Sequence, residues 1–224
     1  MDVSPVEIVF EDSFCLVVNK PNDLLVHHSY YARNIEEDSL AEILRQQGKT
    51  AYPVHRLDRK TSGLILFAKE KEYVPAFQAL FEENKISKKY LALLRGHLPE
   101  SGIIDSPVKN DRGNYKEALT HYICLQHIEL PIPVEPYETS RYSLVEFFPQ
   151  TGRMHQLRIH ANKISHPIIG DPKYGNRHHN HMFIEKFGIS QLFLHAASLT
   201  FIHPFTKEEI AVSAPLPEFW NAIL

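Results

Sequence analysis

Apolar and polar positions along the chain fall into short, distinct periods. Residues 6–10 and 14–18 run apolar on either side of Glu11-Asp12-Ser13, a pattern that predicts two strands joined by a turn. Asn19-Lys20-Pro21-Asn22-Asp23 ends the second strand. Ser39-Leu40-Ala41-Glu42 has capping-box spacing and predicts a helix ending near Gly48. Residues 64–68 read as a short strand. Residues 72–83 follow helical spacing, which turns Val74, Phe77, Leu80 and Phe81 inward. Residues 90–94, 119–124 and 142–148 are rich in β-formers and read as strands. A helix is expected over 152–164, with closing strands over 192–200 and 210–212. Pro131, Pro133 and Pro136 mark a long loop within 129–141. Helices interrupt the strands without a repeating βαβ rhythm. The pattern therefore predicts an α+β chain built on a mixed, largely antiparallel sheet with flanking helices.

Composition narrows the class. At 224 residues and 43% hydrophobic, the chain can bury a substantial core, as one domain or a domain with a subdomain. No apolar run approaches the roughly 20 residues that a membrane helix needs. The opening Met1-Asp2-Val3-Ser4-Pro5 is acidic and lacks the basic start of a secretory signal, so a cytoplasmic protein is expected. Cys15 and Cys124 lie in apolar, strand-like runs, and their spacing suggests reduced, buried thiols rather than a metal site or a disulfide framework. The formal net charge of −3 argues against a non-specific nucleic-acid binder. Its distribution says more. Residues 1–50 hold 4 Lys/Arg against 9 Asp/Glu, whereas Lys85, Lys88, Lys89 and Arg95 cluster within 84–97 with no acid. Arg141, Arg153, Arg158 and Lys163 stand within 141–163 against Glu146 alone. Phosphate binding needs such local positive potential, not a basic protein.

The densest chemistry lies at His55-Arg56-Leu57-Asp58-Arg59-Lys60-Thr61-Ser62-Gly63. Cations around Asp58 lower its pKa and keep it ionised, and a sheltered carboxylate can act as a nucleophile or a base. The plainer alternative is an ion pair of Asp58 with Arg56 or Arg59 on a solvated loop. Three further stretches follow in order: Lys88-Lys89-Tyr90-Leu91-Ala92 with Arg95-Gly96, Thr151-Gly152-Arg153-Met154-His155-Gln156-Leu157-Arg158-Ile159-His160, and His166-Pro167-Ile168-Ile169-Gly170-Asp171. Together with the first, they resemble the motifs of the RluA-type pseudouridine synthases, in that family's order and across most of the chain.

The resemblance implies a long, bent mixed sheet with a central catalytic cleft, in a single catalytic domain over residues 1–224. The catalytic-type sequence starts almost at residue 6, so no N-terminal S4-type RNA-binding domain is expected. The resemblance also assigns roles. Asp58 is the catalytic carboxylate, attacking the sugar or the base or stabilising charge in an elimination route, and Arg158 is the basic residue that pairs with it, for which a bidentate guanidinium is well suited. Tyr90 stacks on the target base and can relay a proton. Leu157 packs on the uracil face, and Arg56 fills the gap when the base leaves the helix. The reaction breaks N1–C1′ and joins C5 to C1′ without redox change, so it implies no cofactor and no metal. The implied partner is RNA, with no obligatory protein partner and no membrane. Through the loop at 129–141, residues 187–205, and Val26-His27 with the loop after it, the resemblance implies a tRNA substrate, at uridine 65 in the T stem. A ribosomal RNA uridine is the alternative. Two other classes compete. A metal hydrolase would use the histidines, but Arg177-His178-His179-Asn180-His181 reads as a polar loop, and His155 and His160 are five apart and off one helical face. A non-catalytic RNA-binding module would keep the basic stretches without needing Asp58, Tyr90 and Arg158 together.

Overall fold

A computed structural model of the chain describes residues 6–28, 37–110 and 112–224. The acidic opening at 1–5, and most of the loop after Val26-His27, lie outside the described residues. The elements in order are β1 (Glu7–Glu11), β2 (Cys15–Lys20), α1 (Leu40–Gln46), β3 (Tyr52–Pro53), β4 (Ser62–Ala68), α2 (Val74–Glu82), β5 (Ile86–Arg95) and β6 (Ser101–Asp105). They continue with β7 (Val108–Lys109), β8 (Tyr115–Lys116), β9 (Leu119–Leu130), β10 (Ser140–Pro149), α3 (Gln156–Lys163), α4 (Arg177–Phe187), β11 (Leu194–Ile202) and β12 (Glu209–Ser213). The chain divides into two compact units, Met1–Lys88 with Ala196–Pro217, and Lys89–His195 with Glu218–Leu224.

In the first unit the strand order is β1-β2-β4-β11, with β3 on β4 and β12 on β11. β2 and β4 pair antiparallel from Cys15 opposite Ala68 to Lys20 opposite Gly63. Residues 15–18 and all of β4 are buried, as an unbroken apolar run predicts for a strand covered on both faces. One face carries Cys15, Val17, Leu64, Leu66 and Ala68, which join Phe77 and Leu80 of α2 in a single core cluster. Pro75, in the first turn of α2, has no N–H to leave unpaired there. α1 starts where the capping signal predicts: the Glu42 carboxylate accepts from Ser39 N at 2.8 Å and from Ser39 Oγ at 2.7 Å. Leu40, Ile43 and Leu44 of α1 are buried.

The second unit is ordered β5-β10-β9-β6, beside a small hairpin of β7 and β8. β10 pairs antiparallel with both β5 and β9, and β9 pairs antiparallel with β6. α3 is held to β9 by polar groups. Gln156 Nε2 donates to Leu119 O and to Thr120 Oγ1, and His160 Nδ1 meets the same hydroxyl at 3.0 Å. Trp220 is 1% exposed and sets its ring edge-on to Phe193, 5.0 Å between centroids. The architecture is the α+β arrangement of a mixed sheet with flanking helices that the pattern predicts.

Several elements depart from the sequence reading. The helix expected over 152–164 begins at Gln156, because His155 takes a left-handed conformation, φ 54°, and cannot extend it backwards. Residues 177–181, read as polar loop, open α4 instead. β9 and β10 run on to Leu130 and back to Ser140, which leaves 131–139 as the connection between them. Among the described residues, no helix is long and apolar enough to cross a membrane.

Candidate active site

The loop that carries Asp58 is anchored at its start by His55. The His55 Nε2 accepts from Leu66 N at 3.0 Å, and the ring stacks on Phe81 with centroids 4.3 Å apart. An imidazole that accepts at Nε2 is neutral with its proton on Nδ1. Burial holds the His55 pKa down, to about 3, and the Lys88 charge acts in the same direction. Leu57, Thr61 and Ser62 are buried around Asp58, which is itself half-buried, and Thr61 N closes a turn on Asp58 O at 3.0 Å. Arg56 is exposed.

A second loop, 20–24, laces itself to the far side. Lys20 is 0% exposed, and its ammonium donates to Pro21 O, Leu24 O and Arg59 O at 2.8, 3.0 and 2.9 Å. Three carbonyls take up all three N–H of the ammonium form. Burial pulls the Lys20 pKa down, to about 7, against the opposing pull of Asp23 and Asp58. Asn22 Nδ2 donates to Lys60 O at 2.7 Å, Lys60 Nζ to Asp23 Oδ1 at 3.0 Å, and Arg59 Nε to Asp23 O at 2.9 Å. The Arg59 guanidinium also reaches Glu37 at 3.0 Å. In the sequence Lys20 marks only the end of a strand. Its signal was there: Leu16, Val18 and Lys20 alternate onto one face of β2, and all three are fully buried.

In the second unit, Tyr90 stands on β5 opposite Phe147 of β10, which in turn lies opposite Tyr122 of β9. The three side chains therefore share one face of the sheet. The basic stretch around Tyr90 is less free than its composition suggests. Lys85 pairs with Glu83, and Lys89 pairs with Glu146 at 2.8 Å. Burial lowers the Lys88 pKa.

Leu157 and Arg158 sit in the first turn of α3, 7% and 5% exposed. The structure gives Arg158 a partner the sequence reading did not foresee. Its Nε donates to Asp171 Oδ2 at 2.7 Å and its Nη2 to Asp171 Oδ1 at 2.9 Å, a bidentate pair. Burial pushes the Asp171 carboxyl up, but the Arg158 hydrogen bonds and the backbone N–H of Tyr174 and Lys173 outweigh it and leave its pKa lowered. The Tyr174 ring lies under the Arg158 guanidinium, 5.3 Å from Cζ to centroid. His155 and His160 part company as their spacing predicts. His155 Nδ1 meets the Tyr174 hydroxyl at 3.1 Å, while His160 Nε2 meets Ser106 O at 2.9 Å.

One group of potential metal ligands was invisible in the sequence. Asp12, Cys15 and His203 bring their ligand atoms within 4.8 Å of one another, with Cys15 and His203 buried. The hydrogen bonds already fix the imidazole. Phe205 N and Thr206 N both donate to His203 Nδ1, so Nε2 carries the proton and points it at Asp12 Oδ2, 3.2 Å away. A metal on Nε2 would leave neither ring nitrogen protonated. Burial also pushes the Cys15 thiol up, away from the thiolate that a metal binds. The donor set fits a hydrogen-bonded core triad.

The profile of the RNA pseudouridylate synthase family matches residues 15–163. The chain belongs to that family. A tRNA pseudouridine synthase C of Haemophilus influenzae is 41% identical over 230 residues, covering 97% of this chain and 96% of the relative. The enzyme of the same name from Vibrio cholerae is 36% identical over 229 residues, covering 97% and 94%. Among solved structures, human RNA pseudouridylate synthase domain containing 1 superposes with a TM-score of 0.74 at 29% identity, over 95% of this chain and 84% of that one. Human RNA pseudouridylate synthase domain containing 4 gives 0.72 at 25%, over 96% and 90%. The synthase is thus an isomerase that acts on uridine in RNA.

Proposed function

We propose that this synthase converts a uridine of tRNA to pseudouridine, at position 65 in the T stem, with Asp58 as its catalytic carboxylate. The supporting observation is the near full-length similarity to enzymes named tRNA pseudouridine synthase C, 41% identical over 97% of the chain. The family profile runs through residues of both compact units, which supports one catalytic domain. The chemistry asks for few parts. The N1–C1′ bond breaks, the uracil turns, C5 bonds to C1′, N1 takes up a proton and C5 gives one up. Asp58 supplies the negative charge for the first step, at the sugar or at the base, and the loops around it keep that carboxylate in one place. Tyr90 faces the base and accepts or relays the C5 proton. Arg158 is the cation of the reaction, and Leu157 packs against the uracil. Arg56, exposed beside Asp58, fills the space left by an extruded base, whose unstacking costs a few kcal/mol. A paired T-stem uridine must be opened, because the A-form major groove does not admit side chains. The synthase works in the cytoplasm with RNA as its partner.

Tritium release from C5-labelled, otherwise unmodified tRNA and ribosomal RNA tests this reading, with wild type and Asp58→Asn side by side. Release from tRNA by the wild type, and none by Asp58→Asn at unchanged tRNA affinity, is the expected result. Release from ribosomal RNA alone would discard the tRNA substrate, and an active Asp58→Asn would discard the role of the carboxylate.

A further inference from the structure

The last of the four motifs lies directly against Arg158. His166-Pro167-Ile168-Ile169-Gly170-Asp171 ends on the carboxylate that holds Arg158, and the segment beyond it is built around that carboxylate. Asp171 Oδ1 accepts from three donors: Arg158 Nη2 at 2.9 Å, Lys173 N at 2.9 Å and Tyr174 N at 3.0 Å. Oδ2 accepts from Arg158 Nε at 2.7 Å. The side chains of Arg158 and Asp171 are 6% and 0% exposed, so water does not loosen the pair.

Backbone geometry shows how tightly the loop is set. Gly170 has φ +77°, and a Cβ there would lie 1.9 Å from Gln191 O. A Cβ on Gly175 would lie 2.2 Å from Asp171 O. Glycine is required at 170 for the backbone to pass against Gln191, and at 175 for the loop to close on Asp171. Asn180 of α4 then fastens the loop from outside, its Oδ1 accepting from Gly170 N and its Nδ2 donating to Asp171 O, each at 2.9 Å. Tyr174, in the same loop, lies under the guanidinium and reaches His155, the residue at the start of the helix that bears Arg158. Arg158 is therefore gripped by a carboxylate, an aromatic face and the origin of its own helix, all from residues of one compact unit.

We infer that Asp171 is a positioning residue for pseudouridine formation, fixing the Arg158 guanidinium in the single orientation the reaction uses. The inference rests on the reading of Arg158 as the reaction's cation. A buried ion pair is weak support for stability, since apolar pairs of similar volume often serve as well. It is strong support for geometry, because a bidentate fork allows one approach direction. A displacement of about 1 Å in a catalytic group can cost on the order of 100-fold in rate.

Asp171→Glu separates the two roles. It keeps the charge and the ion pair but moves the carboxylate by one methylene, so a purely structural role would still be served. Single-turnover tritium release, tRNA affinity by filter retention and thermal unfolding are measured on Asp171→Glu, Asp171→Asn and Arg158→Met. The expected result is a folded Asp171→Glu with tRNA affinity within about threefold of wild type and a rate constant lower by on the order of 100-fold. Asp171→Asn, which keeps the shape and gives up the charge, is expected to be slower still at similar affinity. Wild-type turnover by either Asp171 variant would overturn the inference. A slow Arg158→Met beside fast Asp171 variants would sink this inference alone, whereas a fast Arg158→Met would overturn the assignment of Arg158 itself.

Discussion

His55 carries two constraints in one side chain. Its Nε2 must remain an acceptor for Leu66 N, and its ring must remain apolar enough to lie on Phe81. Both conditions fail when the ring is protonated. A histidine in an unfolded chain takes up its proton near pH 6.5, whereas burial holds His55 at about 3. The folded value is depressed, so the contribution is complete above about pH 6.5 and is lost as pH falls toward 3. Each pH unit in that window costs at most about 1.4 kcal/mol. Urea unfolding at a series of pH values is expected to show a shallower acid slope for His55→Gln than for wild type, and equal slopes would refute it. At the same scale, the motif resemblance assigns roles to Asp58 and Arg158 but none to Lys20 or Asp171. Lys20 Nζ reaches Arg59, 39 residues away, and Asp171 lies 13 residues beyond Arg158, so neither partnership follows any local period.

Among the elements, α4 shows where periodicity fails and capping succeeds. Arg177-His178-His179-Asn180-His181 is polar throughout, and so it read as a loop. Yet its flanks carry both punctuation marks of a helix. Asn176 accepts from His178 N and His179 N, and Gly188 takes φ 69° just past the end. Met182 and Phe183 are the side chains it buries. His179 is held by Tyr142, whose hydroxyl lies 2.8 Å from His179 Nδ1, and burial pushes that histidine down to about 4. Asn176→Ala is expected to cost about 1 kcal/mol in denaturant unfolding, the usual loss for an N-cap. A change below about 0.3 kcal/mol would mean that packing alone holds α4. The later start of α3 has the opposite cause. Gly152 to Met154 suited a helix by pattern, but the left-handed His155 serves Tyr174 rather than a continuous helix.

For the molecule as a whole, charge is a matter of pairing more than of total. The net charge is −3, and several lysines and arginines of the basic stretches are already engaged. Lys85 pairs with Glu83, Lys89 with Glu146, Arg141 with Glu129, and Arg158 with Asp171. A cation already paired with a carboxylate contributes less counterion release when it meets a phosphate. The logarithm of tRNA affinity is therefore expected to fall with the logarithm of salt at a slope no steeper than about −4. Filter binding between 50 and 200 mM salt measures it, and a slope near −10, the signature of many phosphate contacts, would contradict this account. The sequence alone determined the family, the reaction type, most strands and the residues around Asp58, because motifs and side-chain periods are local properties. Tertiary structure alone decided that Asp171 grips Arg158, that Lys20 ties two loops together, and that Asp12, Cys15 and His203 meet. Those contacts join residues far apart in the chain, and only the packing of the folded backbone brings them within hydrogen-bond reach.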